Sequence, residues 1–193
     1  MNELSKEIFV TNEENFEKTA LKVFQFQFEN NPIYRSYCKL INRPNKQVDC
    51  LENIPFIPIS LFKSHEIKST LFNESMIFTS SGTTGHDTSK HYIKELDIYE
   101  TSYKNAFELE YGKIGDYTIL ALLPNYLERN GSSLIYMVDN LISLSKKDKS
   151  GFYLYNHEEL KNTLDQLAAA QEKTILIGVS FALLDFVEKY TPA

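Results

Sequence analysis

Two short apolar runs constrain this chain more than any other feature: Asp116-Tyr-Thr-Ile-Leu-Ala-Leu-Leu123 and Lys173-Thr-Ile-Leu-Ile-Gly-Val179. A strand with one wet face alternates apolar and polar residues. These two do not, so each is predicted to be a strand buried on both faces. Around them the pattern is helical. Leu96, Tyr99, Tyr103, Phe107 and Tyr111 recur at steps of three and four, which predicts a helix over Leu96–Tyr111. Pro124 closes the first buried strand, and Ser132 or Ser133 caps a helix that runs to about Leu144. Phe152–Tyr155 reads as a short strand, with helices over Glu158–Ala170 and Phe181–Tyr190. Strands that alternate with helices predict the α/β class: a mostly parallel sheet with helices on both faces.

Ahead of this α/β part, residues 75–193, lies a helical and extended lead-in, residues 1–74. Phe16, Ala20, Val23, Phe24 and Phe28 follow a helical period over Glu14–Ile41, with Thr11 or Asn12 as the cap. Pro32 divides that region, so a second helix is predicted from Ile33 to Ile41. The segment Ile54-Pro-Phe-Ile-Pro-Ile-Ser-Leu-Phe62 holds too much proline for a central strand. It is expected to run extended over the surface, with Phe56, Ile57, Ile59, Leu61 and Phe62 plugged into the core. The whole chain is expected to form one domain.

Charge excludes one class of partner. The net charge is −6 and no long basic run occurs, whereas a duplex-nucleic-acid reader shows a basic face. The Lys146, Lys147 and Lys149 cluster is interrupted by Asp148 and reads as a solvated loop. No stretch reaches the ~20 apolar residues that span a bilayer, and residues 1–11 lack the apolar core of a signal peptide. No membrane partner and a cytoplasmic location are expected. Cys38 and Cys50 have no CxxC spacing and no nearby histidine pair, so zinc is not expected. They read as two reduced thiols, with a disulfide as the alternative.

The chemistry-bearing segment is Phe78-Thr-Ser-Ser-Gly-Thr-Thr-Gly85, between strands predicted over Ser75–Phe78 and His91–Lys94. Glycines let the backbone turn and bring N–H groups toward a ligand. Successive N–H groups in such a turn make a nest for an anion, and hydroxyls add neutral donors. The composition reads as a polyphosphate loop or as a polar hairpin turn. It is not a Walker loop, because no Gly-Lys-Ser/Thr stands at the required spacing. Gly131-Ser-Ser133 opens a helix after a core strand, and Gly178-Val-Ser-Phe181 does so after the last strand. Strand ends in parallel sheets face ligand crevices, so Gly131, Ser132, Ser133, Gly178 and Ser180 are candidate substrate-binding residues. His65, His86, His91 and His157 show no metal-ligand spacing.

Ser80-Ser-Gly-Thr-Thr-Gly85 resembles the signature loop of the adenylate-forming superfamily. With Ile57–Lys63, Leu123-Pro-Asn125, Gly131–Val138 and Ile177–Phe181, nearly the whole chain resembles the LuxE-type acyl-protein synthetases, relatives of phenylacetate–CoA ligases. The resemblance implies the N-terminal domain of the adenylate-forming fold. It implies that Ser80, Ser81, Gly82, Thr83, Thr84 and Gly85 hold the β- and γ-phosphates of ATP, with Mg²⁺ required. The superfamily lysine directly after the loop is replaced here by His86-Asp-Thr-Ser89, and Lys90 is the nearest lysine. Gly178 and Ser180 would line the acyl pocket.

What the resemblance implies is ATP-dependent activation of a carboxylic acid, most simply a fatty acid, as acyl-adenylate, followed by acyl transfer to a protein thiol or another acceptor. The implied partners are ATP, a small carboxylic acid, and an acyl-acceptor or reductase protein. No nucleophile is assigned, because neither Cys38 nor Cys50 stands at a matching position. The adenine segment, ribose aspartate and mobile-domain lysine of the superfamily are expected beyond Ala193. The chain is therefore expected to be the N-terminal part of a longer enzyme, inactive alone. Two alternatives stay open: a coenzyme A ligase of the same superfamily, and a non-catalytic interaction module that uses the loop as a turn.

Overall fold

Asn31 ends one helix and starts the next. Its N–H donates to the Gln27 carbonyl at 2.9 Å, and its side chain accepts from the Tyr34 N–H at 3.0 Å. Pro32 follows at the first helical position, where its missing N–H costs nothing. The boundary predicted at Pro32 is therefore present, with Pro32 inside the second helix. The structure is a computed structural model that describes residues 3–80, 88–124 and 131–190. In it the chain divides into two compact units, Met1–Tyr99 and Glu100–Ala193.

The first unit opens with helices α1 (Glu3–Phe9), α2 (Phe16–Asn30), α3 (Pro32–Leu40) and α4 (Leu61–Ser64). The Phe24-Gln-Phe-Gln-Phe28 alternation lies inside α2, where the helical period prevails. The cap expected at Thr11 or Asn12 is displaced. Asn15 stands at the N-cap without a side-chain bond, while the Asn12 carboxamide accepts from the N–H of Glu14 and Asn15 in the preceding turn. The core of the unit is Phe24, Tyr34 and Cys38, with Phe28, Tyr37, Val48, Ile54 and Ile57 against them. The Tyr34 hydroxyl donates to the Pro55 carbonyl at 2.6 Å.

That bond corrects the reading of the proline-rich segment. Ile54 and Ile57 face the core, but Phe56 is 81% exposed and Ile59 77% exposed. Anchoring at Pro55 turns the neighbouring side chains outward, so Phe56 and Ile59 are not core residues. Leu61 and Phe62 are half-buried in α4. The unit also carries an antiparallel pair, β1 (Met76–Thr79) and β2 (Lys90–Ile93), in register from Met76↔Ile93 to Thr79↔Lys90. This pair forms its own small sheet, separate from the parallel one. The single mostly parallel sheet expected from sequence is corrected to that extent.

Helix α5 (Asp97–Tyr111) contains the division between the units. In the second unit follow β3 (Thr118–Leu122), α6 (Ser133–Ser145), β4 (Gly151–Phe152), α7 (His157–Ala169), β5 (Thr174–Gly178) and α8 (Ser180–Lys189). The strands are parallel in the order β4-β3-β5. Every residue of β3 is buried, as its unbroken apolar run predicts. Leu120 and Leu122 point to Leu160 and Leu167 of α7 and to Ala182 and Phe186 of α8. Ala121 and Leu123 point to Val138 of α6 on the opposite face. The expected helices on both faces are present in this unit. No helix among the described residues is long and apolar enough to cross a membrane.

Candidate functional site

The hairpin β1–β2 carries the Ser/Thr/Gly segment. Ser81, Gly82, Thr83, Thr84, Gly85 and His86 lie outside the described residues, whereas Ser80, Ser89 and Lys90 lie within them. Beyond the last ladder pair, Thr79↔Lys90, the Ser80 N–H donates to the Ser89 carbonyl at 3.1 Å. In a regular antiparallel rung the reply would come from the Ser89 N–H to the Ser80 carbonyl. Here the Ser89 N–H donates instead to Ser80 Oγ, at 3.1 Å. Ser89 is buried and Ser80 is exposed. Ser80 Oγ is thereby an acceptor within the neck, and its own O–H remains a donor. Lys90 is exposed and has no ion-pair partner among the described residues. Donors, and a cation with no ion-pair partner among the described residues, beside a hydroxyl-rich sequence favour an anion.

The rest of the hairpin is held from below. Phe62 stacks on His91 with ring centres 4.6 Å apart, and Phe78 meets Tyr99 edge-on at 5.2 Å. Lys68 Nζ sits over the Tyr92 ring at 4.6 Å and over Phe72 at 5.2 Å. It also pairs with Glu66 at 2.5 Å and Glu74 at 2.9 Å. The hydrogen bonds that Lys68 donates to Glu66 and Glu74 raise its ammonium above its ordinary value, and the bond from Lys68 holds Glu74 below its own. Neither Ser89 nor Lys68 was singled out by sequence reasoning. Ser89 could have been found only by counting the rungs of a register that the sequence does not print.

In the second unit the remaining candidates share one edge of the parallel sheet. Leu122 and Gly178 are register partners at the carboxyl ends of β3 and β5. The helix after β3 lies on one face and the helix after β5 on the other. Adjacent strands whose connections leave to opposite faces open a crevice at their carboxyl ends. Gly131 precedes α6 with φ +86°, a left-handed conformation that glycine adopts without strain. Ser132 caps α6, accepting from the Ile135 N–H at 3.4 Å, as expected, and Ser133 is its first residue. A Cβ on Gly178 would lie 2.9 Å from Leu183 Cγ and 3.2 Å from Leu122 Cβ. Glycine there lets β5 and α8 pack closely. Ser180 is the exposed first residue of α8, after Val179, which offers no side-chain cap.

Both cysteines are free, so the disulfide alternative is set aside. Cys38 is fully buried beside Tyr34, and burial pushes its thiol up. No group of three or more His, Cys, Asp or Glu among the described residues forms a metal cluster. Compared with known protein families, with curated proteins and with solved structures, the chain matches none.

Proposed function

We propose that this protein binds ATP by its polyphosphate and serves the activation of a carboxylic acid as acyl-adenylate. The observation that supports this reading is the hairpin neck. A Ser/Thr/Gly segment adjoins an antiparallel pair that is closed by Ser80 and Ser89 and carries Lys90, which has no ion-pair partner among the described residues. In this reading Ser81, Thr83 and Thr84 donate to phosphate oxygens, Gly82 and Gly85 admit the backbone, and Lys90 adds charge.

In the reaction, a carboxylate oxygen attacks the α-phosphorus of ATP. The bond to the β-phosphate oxygen breaks and pyrophosphate leaves. Residues of this kind act by position and charge, as phosphate chemistry requires. Mg²⁺ bound to the nucleotide would neutralise phosphate charge. The described residues offer no carboxylate cluster to hold it, so it enters with the polyphosphate. The crevice at the ends of β3 and β5, with Gly131, Ser132, Ser133, Gly178 and Ser180, takes the acid. A thiol of a protein, or another acceptor, then receives the acyl group.

Calorimetric titration with ATP·Mg²⁺ tests the first step, on the wild type and on the variant Thr83→Val/Thr84→Val. Valine keeps the branched shape and removes the donors. Each lost hydrogen bond to a charged group costs about 1.5–3 kcal/mol, so the double variant should bind at least ~100-fold more weakly. Its melting temperature should be unchanged. Unchanged binding would remove the segment from nucleotide recognition, and lower melting with intact binding would make it a structural turn.

A further inference from the structure

Strand β5 has the sequence of an interior strand and stands at an edge. The order β4-β3-β5 leaves one side of it without a described neighbour. Edge strands are normally guarded by charge or proline, yet neither interrupts Thr174–Gly178, whose residues are all half-buried. The Thr118 N–H donates to the Lys173 carbonyl, and Thr118 is the register partner of Thr174. In a parallel ladder that phase turns the main-chain groups of Ile175 and Ile177 toward β3. Those of Thr174, Leu176 and Gly178 point outward.

Helix α8 continues this surface. Leu176 and Leu183 join the cluster that holds Ala182 and Phe186, so α8 runs back over the Leu176 face of β5. Phe186 and Tyr190 meet His157 of α7 edge-on, at 5.8 and 6.2 Å. Phe181, Leu184 and Val187 form a stripe on the side of α8 turned away from α7, 70%, 59% and 53% exposed. The stripe therefore borders the free edge of β5.

We propose that the β5 edge and the α8 stripe form a two-fold interface with a second copy of this chain. The surface is self-complementary. Leu176 lies ~7 Å back from Gly178 along the strand, and Leu184 lies ~6 Å back from Ser180 along the helix. One axis normal to the sheet therefore passes beside both. It pairs β5 with its copy antiparallel, Leu176 opposite Leu176 and Thr174 opposite Gly178, so the outward main-chain groups bond reciprocally. It sets the two α8 helices antiparallel, Leu184 against Leu184 and Phe181 against Val187. Charge agrees with this symmetry. The exposed Glu188 comes to the start of the other α8, where Val179 offers no side-chain cap and negative charge is favourable. A foreign strand would cover the edge and leave the stripe bare. The crevice between β3 and β5 lies on the other side of β5, so this inference does not rest on the nucleotide reading.

A strand of 5 and a helix of 10 residues a side make a small interface, about 600 Å² per partner, so dissociation should be micromolar. Sedimentation equilibrium of the intact chain across that range should show a reversible monomer–dimer equilibrium. Leu184→Glu sets like charges face to face at the axis and should weaken it about 100-fold or more. Thr174→Pro removes only an N–H that faces the free edge and should weaken it about tenfold. Both should melt like the wild type when dilute. With Cys50→Ser, Leu184→Cys should cross-link to its copy on mild oxidation, and Lys189→Cys should not. A wild type that stays monomeric throughout overturns the proposal and leaves the edge to a different chain. A dimer that persists in both Leu184→Glu and Thr174→Pro overturns it equally, because association then uses another surface. If Thr174→Pro does not fold, Leu184→Glu and the cross-link decide.

Discussion

Tyr34 bridges helix and proline segment through one hydroxyl, buried beside Cys38 and bonded to the Pro55 carbonyl. Burial, and secondarily the neighbouring Cys38, raise its ionisation well above the ordinary tyrosine value. The sign follows from linkage. A group whose folded value is raised contributes stability below its unfolded value, near 10, and loses it as pH climbs beyond. Stability of the wild type should therefore fall as pH rises above about 10. Tyr34→Phe should cost about 1 kcal/mol at neutral pH through the lost hydrogen bond, and should show a shallower alkaline decline. Urea unfolding at neutral and alkaline pH measures both, and an unchanged alkaline slope would exclude Tyr34 as its source. At this scale the sequence was uneven. The hydroxyls and glycines of residues 80–85 stand out by type, because anion chemistry selects those types. Ser89 does not, because its importance lies in which N–H it aligns with Ser80 Oγ, a matter of register.

The elements were far more legible. Apolar runs without alternation mark both β3 and β5, but only central β3 is buried throughout as expected; β5, at the sheet edge, is half-buried at every position, so its predicted full burial is corrected. Steps of three and four mark α2 and α5, and the cap of α6 sits at Ser132, one of the two serines expected. Helix α1 escaped notice because its Glu3–Phe9 sequence is mostly polar, and it is tied to α2 partly through Lys22 and Glu7, 2.6 Å apart. The outward turn of Phe56 and Ile59 was misread because apolarity alone does not say which side a proline-fixed segment presents. Crowding at the end of β5 gives a sharper expectation. Gly178→Ala pushes a methyl group against Leu183 and Leu122. It should destabilise the second unit by about 1–3 kcal/mol, read as a lower urea midpoint, and an equally stable variant would mean that α8 shifts freely.

Across the whole molecule, charge and exposed apolar surface act together. The sequence pI is near 5.3, so electrostatic repulsion between copies vanishes there. Phe56, Ile59 and Leu71, together with Leu40, are then among the apolar side chains of the first unit that can stick, being mostly exposed. Turbidity should peak close to that pH. Phe56→Ser with Ile59→Ser should lower the peak while stability changes by no more than about 0.5 kcal/mol; an undiminished peak would locate the sticky surface elsewhere. A last consequence belongs to the order in which the chain is made. The hairpin pairs neighbours in sequence, but β3 is central and waits for Thr174–Gly178 of β5 to complete one side. At about 5–20 residues per second of synthesis, that interval lasts on the order of seconds. For that time the most apolar strand of the protein is a half-paired ribbon at the ribosome exit, and its survival depends on α6 arriving first to shield one face.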